Sequence, residues 1–573
     1  MFKRYFFILG LMLVFMSYVH ATTEFVVNNF HIQMNSDYKK INQNVANGLK
    51  NYFSRYENIG KENLSNIILD SKNNIRKSLE VYGYFSPEIK LTYKTMNQQV
   101  YVLYDINKGQ QVITSGLDVS IPDEVIKKAK LKKDLKALYE LNNKPYDGIA
   151  LIQIKDNILD KIREHGYPFA EFNEATMTFI NPIKIVLKFR LNLNKYYTFG
   201  NMTIENSKNL KEAFIKSYAS FKPGDDYDAV LLGKFQKDLI SSGFFDQVNV
   251  HPVNWSEQAQ SVPIIVNVVD AKPWLRSYAV GYDDKYHLGA SVGYQVKPYN
   301  PWGHSLEFFL RLATNDYIQL KANYIMPSKN PLVRTYFFSS QIITQNLVVG
   351  EAESGLLTFA VQQRFKDWLV IPGLNVFVEH SMPNNDSNYT TELIYPQLNV
   401  IYKDYNRYPW LKRFMFGSSI MATSDDVLSG ISMSRVVLKS EALFPVTDKL
   451  DFQLSGNFGA LSSSSLDDVP LSLKFYAGGP DSIRGYSYNE FGPGKYEKNL
   501  SYELQYSLSD LFQPFVFVDQ GHASDKWDDK MKSSVGLGVA LNFKIVALKF
   551  SLARGLDEEA DPYKFQFTVK TMD

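Results

Sequence analysis

The chain contains no cysteine. That excludes a disulfide framework, thiolate chemistry and any cysteine-ligated zinc site. Neither sign of charge is in surplus: 62 Lys and Arg stand against 60 Asp and Glu, so the balance does not point to nucleic acid or to a strongly charged substrate. Beyond the first residues, no apolar run approaches the roughly 20 residues that a spanning helix needs. Catalytic signatures are also lacking. There is no H-E-x-x-H, P-loop or paired Cys/His pattern. Gly289-Ala290-Ser291-Val292-Gly293 matches G-x-S-x-G in form but lies inside an alternating stretch with no helix after it, whereas a nucleophile elbow turns from strand to helix. The acidic run Asp557, Glu558, Glu559 and Asp561 reads as a solvated outer loop rather than a cation site. The sequence therefore reads as a non-enzyme with no cofactor, no metal and no nucleic-acid partner.

What is present is aromatic. Phe, Trp and Tyr make up 14% of the chain, with 37 Tyr and 39 Phe, residues that suit pleated strands and membrane interfaces. The first residues read as an export signal. Lys3 and Arg4 form a basic segment, Tyr5 to Val19 an apolar core, and Val19-His20-Ala21 a small-residue cleavage site, giving a signal peptide over 1–21. Its apolar core is short for a membrane anchor, which favours cleavage.

Between Thr22 and Pro273 the chain repeats itself at intervals of about 80 residues. The landmarks are Gly83-Tyr84-Phe85, Gly166-Tyr167-Pro168 and Gly243-Phe244-Phe245. Each follows an amphipathic stretch with one apolar face: Leu64, Ile68, Ile75 and Leu79; then Leu151, Ile154, Ile158 and Ile162; then Leu231, Phe235 and Leu239. Alternating stretches come next, at Ile89, Leu91 and Tyr93, at Ile185, Leu187 and Phe189, and at Ile264, Val266 and Val268, and these read as half-buried strands. Asp147 and Asp228 are placed to cap the helices of the last two units. The units are expected over 22–108, 109–192 and 193–273, each a helix followed by strands.

From 274 to 573 the helical period disappears and alternating segments recur between Asp, Asn, Gly and Pro clusters. At about ten residues per tilted strand, this length accommodates roughly sixteen strands. Only a closed sheet crosses lipid without an unpaired backbone edge, so the expectation is an all-β transmembrane barrel of about 16 antiparallel strands. The last segment shows the facing: Tyr563, Phe565, Phe567 and Val569 suit lipid, and Lys564, Gln566, Thr568 and Lys570 a wet lumen.

One stretch, 475–493 (FYAGGPDSIRGYSYNEFGP), fits neither pattern. Gly478, Gly479 and Pro480 break the preceding strand, and Gly492 and Pro493 close the segment. Its core, Ile483-Arg484-Gly485-Tyr486, resembles the (V/I)-R-G-(Y/F) signature of the BamA/TamA superfamily of outer-membrane assembly factors. Other stretches resemble that superfamily locally. Asn300-Pro301-Trp302-Gly303-His304-Ser305-Leu306 matches its N-x-x-G-[HR]-x-L turn, Tyr324-Ile325-Met326-Pro327 with Asn330-Pro331 its Y-x-x-P turn, and Phe517-x-Asp519-x-Gly521 its F-x-D-x-G motif. The three repeats look like POTRA domains, which implies a β-α-α-β-β order in each and periplasmic modules that offer a sheet edge to extended partners. Three units rather than five favour the TamA branch over the BamA branch.

The resemblance implies that the loop folds into the barrel and that Arg484 meets acidic residues on the wall. Residues 517 and 519 share a face, and the alternation Tyr502, Leu504, Tyr506 leaves Glu503 in the lumen. Arg484 is thus expected to bridge Asp519 and Glu503, with Tyr486 and Phe517 packed about its guanidinium. The stretch 494–499, GKYEKN, lacks the paired glycines expected of the family, which puts the loop's exit in question. The resemblance further implies insertion or translocation of autotransporter-type and other barrel clients through a POTRA arm and a lateral seam. Gly281, Phe565 and Phe567 mark the strands of that seam. Expected partners are a TamB-like periplasm-spanning protein, unfolded outer-membrane clients and outer-membrane lipid. A two-partner-secretion-type transporter and a passive outer-membrane pore are the competing readings.

Overall fold

The computed structural model describes residues 21–571 except 29, 37–38, 57–60, 97–98, 254–259, 284–286, 464–465, 544–545 and 558–562. Apart from Ala21, the sequence-predicted signal peptide lies outside the described residues. The chain forms two compact units, one of 1–201 with 221–232 and 252–264, the other of 202–220 with 233–251 and 265–573.

The first α/β segment contains β1 (Ala21–Val27), β2 (Phe30–Ser36), α1 (Lys39–Phe53), α2 (Lys61–Glu80), β3 (Glu88–Met96) and β4 (Gln99–Asn107). Its sheet runs β1-β2-β4-β3, one strand more than the repeat pattern predicts. The added strand pairs antiparallel with β2, from Ala21 opposite Ser36 to Val27 opposite Phe30. Phe25 and Val27 from it pack against a core that includes Ile68, Ile75, Leu79 and Tyr104. Tyr93 does not share that burial and is 43% exposed.

The second segment contains β5 (Ile113–Ser120), α3 (Asp123–Lys128), α4 (Lys132–Tyr139), α5 (Gly148–Arg163), β6 (Glu171–Asn181) and β7 (Lys184–Asn192), with sheet order β5-β7-β6. It has three helices where two are expected, because Lys130, at φ +54°, breaks the first helical stretch in two. The Asp147 carboxylate accepts the Ala150 N–H at 3.0 Å and caps α5. Gly166, at φ +94°, stops the turn after α5, and a Cβ there would stand 2.3 Å from the Tyr196 ring.

The third segment contributes residues to both units: β8 (Thr198–Glu205), α6 (Glu212–Lys216), α7 (Ala229–Ser241), β9 (Phe245–Pro252) and β10 (Ser261–Asp270), with sheet order β8-β10-β9. Ile264, Val266 and Val268 are buried, as their alternation predicts.

The remainder is strand. It begins with β11 (Trp274–Asp283), β12 (His287–Val296), β13 (Ser305–Ala313), β14 (Tyr317–Pro327), β15 (Arg334–Leu347) and β16 (Gly350–Phe365). There follow β17 (Trp368–Pro383), β18 (Tyr389–Tyr408), β19 (Leu411–Thr423), β20 (Met433–Pro445) and β21 (Leu450–Ser463). After two short strands, β22 (Phe475–Ala477) and β23 (Phe491–Gly494), come β24 (Tyr496–Tyr506), β25 (Phe512–Ser524), β26 (Lys532–Asn542), β27 (Val546–Gly555) and β28 (Lys564–Thr571). Sixteen of these form one sheet from β11 to β28 in sequence order, interrupted only by the separate β22–β23 pair. The consecutive pairs with a resolved register are antiparallel. The edge strands β11 and β28 meet, closing a barrel, yet no hydrogen-bonded ladder joins them among the described residues.

The two faces of this sheet differ as lipid and water demand. Outward, Tyr278 and Val280 are 71% and 78% exposed. Inward, polar side chains pair from strand to strand. Glu307 accepts from Gln295 at 2.8 Å and from Asn323 at 3.1 Å, and Asn323 accepts from Ser339 at 2.8 Å. Thr358, Asn375, Gln397 and Ser419 continue the pattern over β16 to β19. At one rim Tyr408, Trp410, Phe444 and Phe452 stack in succession, the aromatic belt of a membrane interface. The 300–306 turn is seated on the third segment: the Lys211 N–H donates to the Pro301 carbonyl at 3.0 Å, and Lys211 Nζ lies 3.9 Å above the Trp302 ring.

Among the described residues helices are confined to the α/β segments apart from one short 3-10 turn, so far-UV circular dichroism at the helical minimum reports on those segments. Gly166→Ala forces an L side chain into positive φ and against Tyr196. It is expected to destabilise the helical signal by about 1–2 kcal/mol or more while leaving the barrel's heat-resistant strand signal in place.

Candidate functional site: the loop inside the barrel

The chain leaves β21 and, instead of making a short hairpin, runs through the barrel interior before starting β24. Its early part is held by the middle strands. The Glu379 carboxylate on β17, 0% exposed, accepts the Ser472 N–H at 3.2 Å and the hydroxyls of Ser472 and Ser381. Tyr389 on β18 donates to the Val469 carbonyl at 2.9 Å. Arg435 on β20 donates through Nε to the Leu473 carbonyl at 3.0 Å, and its guanidinium lies 4.4 Å from the centre of the Phe475 ring. None of these residues stands out in the sequence. The available signal was weak: Glu379 has the same parity as Asn375 and Ser381, which marks it as a carboxylate inside the barrel.

The loop then turns back on itself. β22 and β23 pair as a short hairpin at its base. Gly478 and Gly479 take φ +109° and +96°, and Gly492 takes +112° before Pro493. A Cβ on Gly478 would come within 2.4 Å of the Ser487 carbonyl, and one on Gly492 within 2.6 Å of that of Phe475. Pro480 borders a lumen cavity of about 600 Å³ together with Arg484, Glu503 and Lys549. On the way out, Tyr496 already pairs with Ser524, so GKYEKN leads straight into β24 without paired glycines.

At the centre stands Arg484. Its Nε and Nη2 donate to the two Asp519 oxygens at 2.7 and 2.8 Å, and its backbone N–H adds a third bond to Asp519 at 3.0 Å. Nη1 donates to Glu503 at 2.7 Å and Nη2 to Ser501 at 3.0 Å. The planar fork suits this double recognition, whereas an ammonium does not offer it. Asp519 is 0% exposed, and Arg484 and Glu503 are buried with it. Lys549 on β27 donates to the other Glu503 oxygen at 2.8 Å, so two cations and two carboxylates form one neutral network. Lys549 was not foreseen, because its partner lies 46 positions away.

The Phe517 ring covers the guanidinium at 3.4 Å, with Phe515 farther off at 5.9 Å. Gly521 leaves room for the loop: a Cβ there would meet Asn499 at 2.2 Å and Ile483 at 3.0 Å. Tyr486 departs from expectation. It does not pack on the guanidinium but stands edge-on to Phe491, with its hydroxyl 2.5 Å from Asp557 and 3.1 Å from the Ser533 carbonyl. The cause is Gly485, whose φ of +94° turns the chain and lays the backbone flat against Arg554 and Gly555. The Asp557 carboxyl is held below its ordinary value, chiefly by the Tyr486 hydroxyl and also by Lys532, against the opposing effect of partial desolvation. Glu558, Glu559 and Asp561 lie outside the described residues. Among the described residues no cluster of three His, Asp or Glu side chains is arranged to hold a metal ion.

The residues named for the seam occupy its two strands. Gly281 on β11 pairs with Gly289 and has open space where a Cβ would be. On β28, Phe565 is exposed on the outer face and Phe567 stacks at 4.8 Å on Phe550, while Gln566 points inward and is buried.

Removing one partner of the network leaves a buried charge uncompensated, at a cost of several kcal/mol. Asp519→Ala and Arg484→Ala should therefore each lower the barrel's unfolding midpoint sharply. The double variant should be much less harmful than the sum, with a coupling of about 1–3 kcal/mol. Additive effects would show that the two charges do not act together.

Comparison with known proteins follows the same division. Residues 374–571 match the Omp85 superfamily domain, and residues 197–271 match POTRA, described as a surface antigen variable number repeat. An outer membrane protein assembly factor BamA from Nitratidesulfovibrio vulgaris is 23% identical over 475 residues, 74% of this chain. The chain spans 57% of that relative's length. The crystal structure of BamA from Haemophilus ducreyi lacking POTRA domains 1–3 superposes with a TM-score of 0.63 at 14% identity, over 81% of this chain and 100% of that one. CdiB from Escherichia coli aligns at a TM-score of 0.48 and 12% identity, over 89% and 98%. This chain thus carries an Omp85 superfamily domain over 374–571 and a POTRA domain over 197–271, domains that indicate the outer membrane with POTRA structure in the periplasm, and its fold is similar to that of a BamA barrel.

Proposed function

We propose that this protein is an outer-membrane assembly factor that inserts or translocates barrel clients, autotransporter-type proteins among them, across the seam between β11 and β28. The observation that carries this reading is the seam itself. Among the described residues, two edge strands meet without a ladder in a sheet whose other strands are all paired. Such an edge is a template for an incoming strand, because its backbone donors and acceptors are satisfied only by another strand or by water. A permanent pore has no need of an open edge, nor of a buried four-charge network that keeps a loop across its lumen. The α/β segments before residue 273 act in this reading as three POTRA modules that hand extended clients to the barrel. A TamB-like periplasm-spanning protein is the expected partner on that side, and outer-membrane lipid is the medium that receives the client.

Two measurements test it. Outer-membrane proteomics of a depleted strain should show selective loss of a few barrel proteins, restored by the wild-type chain and not by Arg484→Ala. An unchanged proteome with altered solute permeability would instead identify a pore. Because the chain has no cysteine of its own, a single engineered pair can bridge β11 to β28 without side reactions. Client assembly should stop when the bridge is oxidised and resume on reduction; assembly that continues with the bridge closed would refute the seam.

A further inference from the structure

The residues 484–487 do more than fill the lumen. Four consecutive positions cross the inner face of the last five strands toward the seam. Arg484 meets Glu503 on β24 and Asp519 on β25. Gly485 lies against Arg554 and Gly555 at the end of β27. The Tyr486 hydroxyl reaches the Ser533 carbonyl on β26 and Asp557 just beyond β27. The chain then reaches β28: Gln566 Nε2 donates to the Tyr486 carbonyl at 3.2 Å, and Lys564 Nζ donates to the Ser487 hydroxyl.

Those last two contacts fall on the strand with least support. β28 is paired on one side to β27, from Lys564 opposite Ala553 to Thr571 opposite Val546, and has no ladder on its other edge among the described residues. Gln566 is 4% exposed, and its Oε1 has no hydrogen-bond donor among the described residues. Burying an amide with one group unmatched is costly. Alternation turns Gln566 inward, and the bond to the loop carbonyl is what partners its amide nitrogen there. Beside these contacts lies a polar cavity of about 550 Å³, bordered by Tyr282 and His287 from the β11–β12 hairpin, by Tyr486 to Asn489, and by Lys564 to Gln566. The loop tip and both seam strands thus share one space.

We propose that the Tyr486–Ser487 tip is a latch on the terminal strand. Gln566 and Lys564 are its positioning residues, and the far end of β28 is freed when the tip withdraws. The proposal rests on the seam reading above and adds the element that controls it. The Arg484 network sets where the loop sits, and the tip passes that position on to the strand that must move.

Hydrogen exchange on the full-length protein in lipid nanodiscs, with no client present, tests it. In Gln566→Ala, amides of 564–571 should exchange about fivefold faster, the worth of one net hydrogen bond, while β24 and β25 stay as protected as in the wild type. Arg484→Ala should speed exchange in β28 as well as in β24 and β25. Heat-modifiable electrophoretic mobility checks that each variant folds. If Gln566→Ala does not fold, Ser487→Ala removes a latch contact from the loop side, and it should speed exchange in β28 alone. Unchanged exchange of β28 in a folded Gln566→Ala or Ser487→Ala protein overturns the latch. The seam reading fails separately: faster β28 exchange with client assembly undisturbed by a closed seam disulfide would leave the latch standing and remove its proposed purpose.

Discussion

The structure depends on one buried guanidinium. A long loop has no intrinsic reason to stay inside a barrel, since fixing each residue costs about 1–2 kcal/mol of backbone entropy. Arg484 offsets that cost because its fork reaches two carboxylates on two neighbouring strands at once, and the Phe517 face keeps water from the contact. The arrangement is neutral only as a set. Asp519 and Glu503 together exceed one arginine, and Lys549 from β27 completes the balance. Charges buried in this way define a position more than they add stability, because any shift of the loop leaves one of them unpaired.

The second constraint is the sheet edge. A barrel in lipid must satisfy every backbone group, and among the described residues fifteen of the sixteen junctions do so by strand pairing, the junction of β11 with β28 being the exception. That contrast explains why the loop is anchored so widely. It is held at Glu379 on β17 and Arg435 on β20 as well as at Asp519 and Glu503, so that it spans seven strands of the sheet from β17 to β25. A strap fixed on the firm part of the wall can bear on the part that is not firm.

Much of this was legible in the sequence wherever alternation alone decides the answer. Parity placed Glu503 in the lumen and Phe565 on the outer face, the motif resemblance brought in Asp519, and helical period marked Ile68, Ile158 and Phe235 as core. Local pattern was silent where contact depends on how the loop threads. Glu379, Arg435 and Lys549 meet their partners across 93, 38 and 46 residues. Tyr486 was misplaced for a different reason. Residue type and proximity suggested packing on the guanidinium, but Gly485 takes a positive φ, and that changes which way the next side chain points. The additional strand β1 lies directly after the leader, in a stretch to which the repeat pattern assigns only one strand before the helices.

These two constraints meet at the loop tip, and their strengths differ in a useful way. The Arg484 contacts are charge-assisted and shielded, and such bonds are about twice as strong as neutral ones. At the tip, the Gln566 contact is a neutral amide bond of 3.2 Å, and Lys564 sits at the exposed end of its strand. A device with a strong root and a weak tip yields at the tip first. In the proposed latch, release of β28 would therefore leave the buried network intact. The gradient of interaction strength along four residues is what would let the tip withdraw while the root of the loop stays in place.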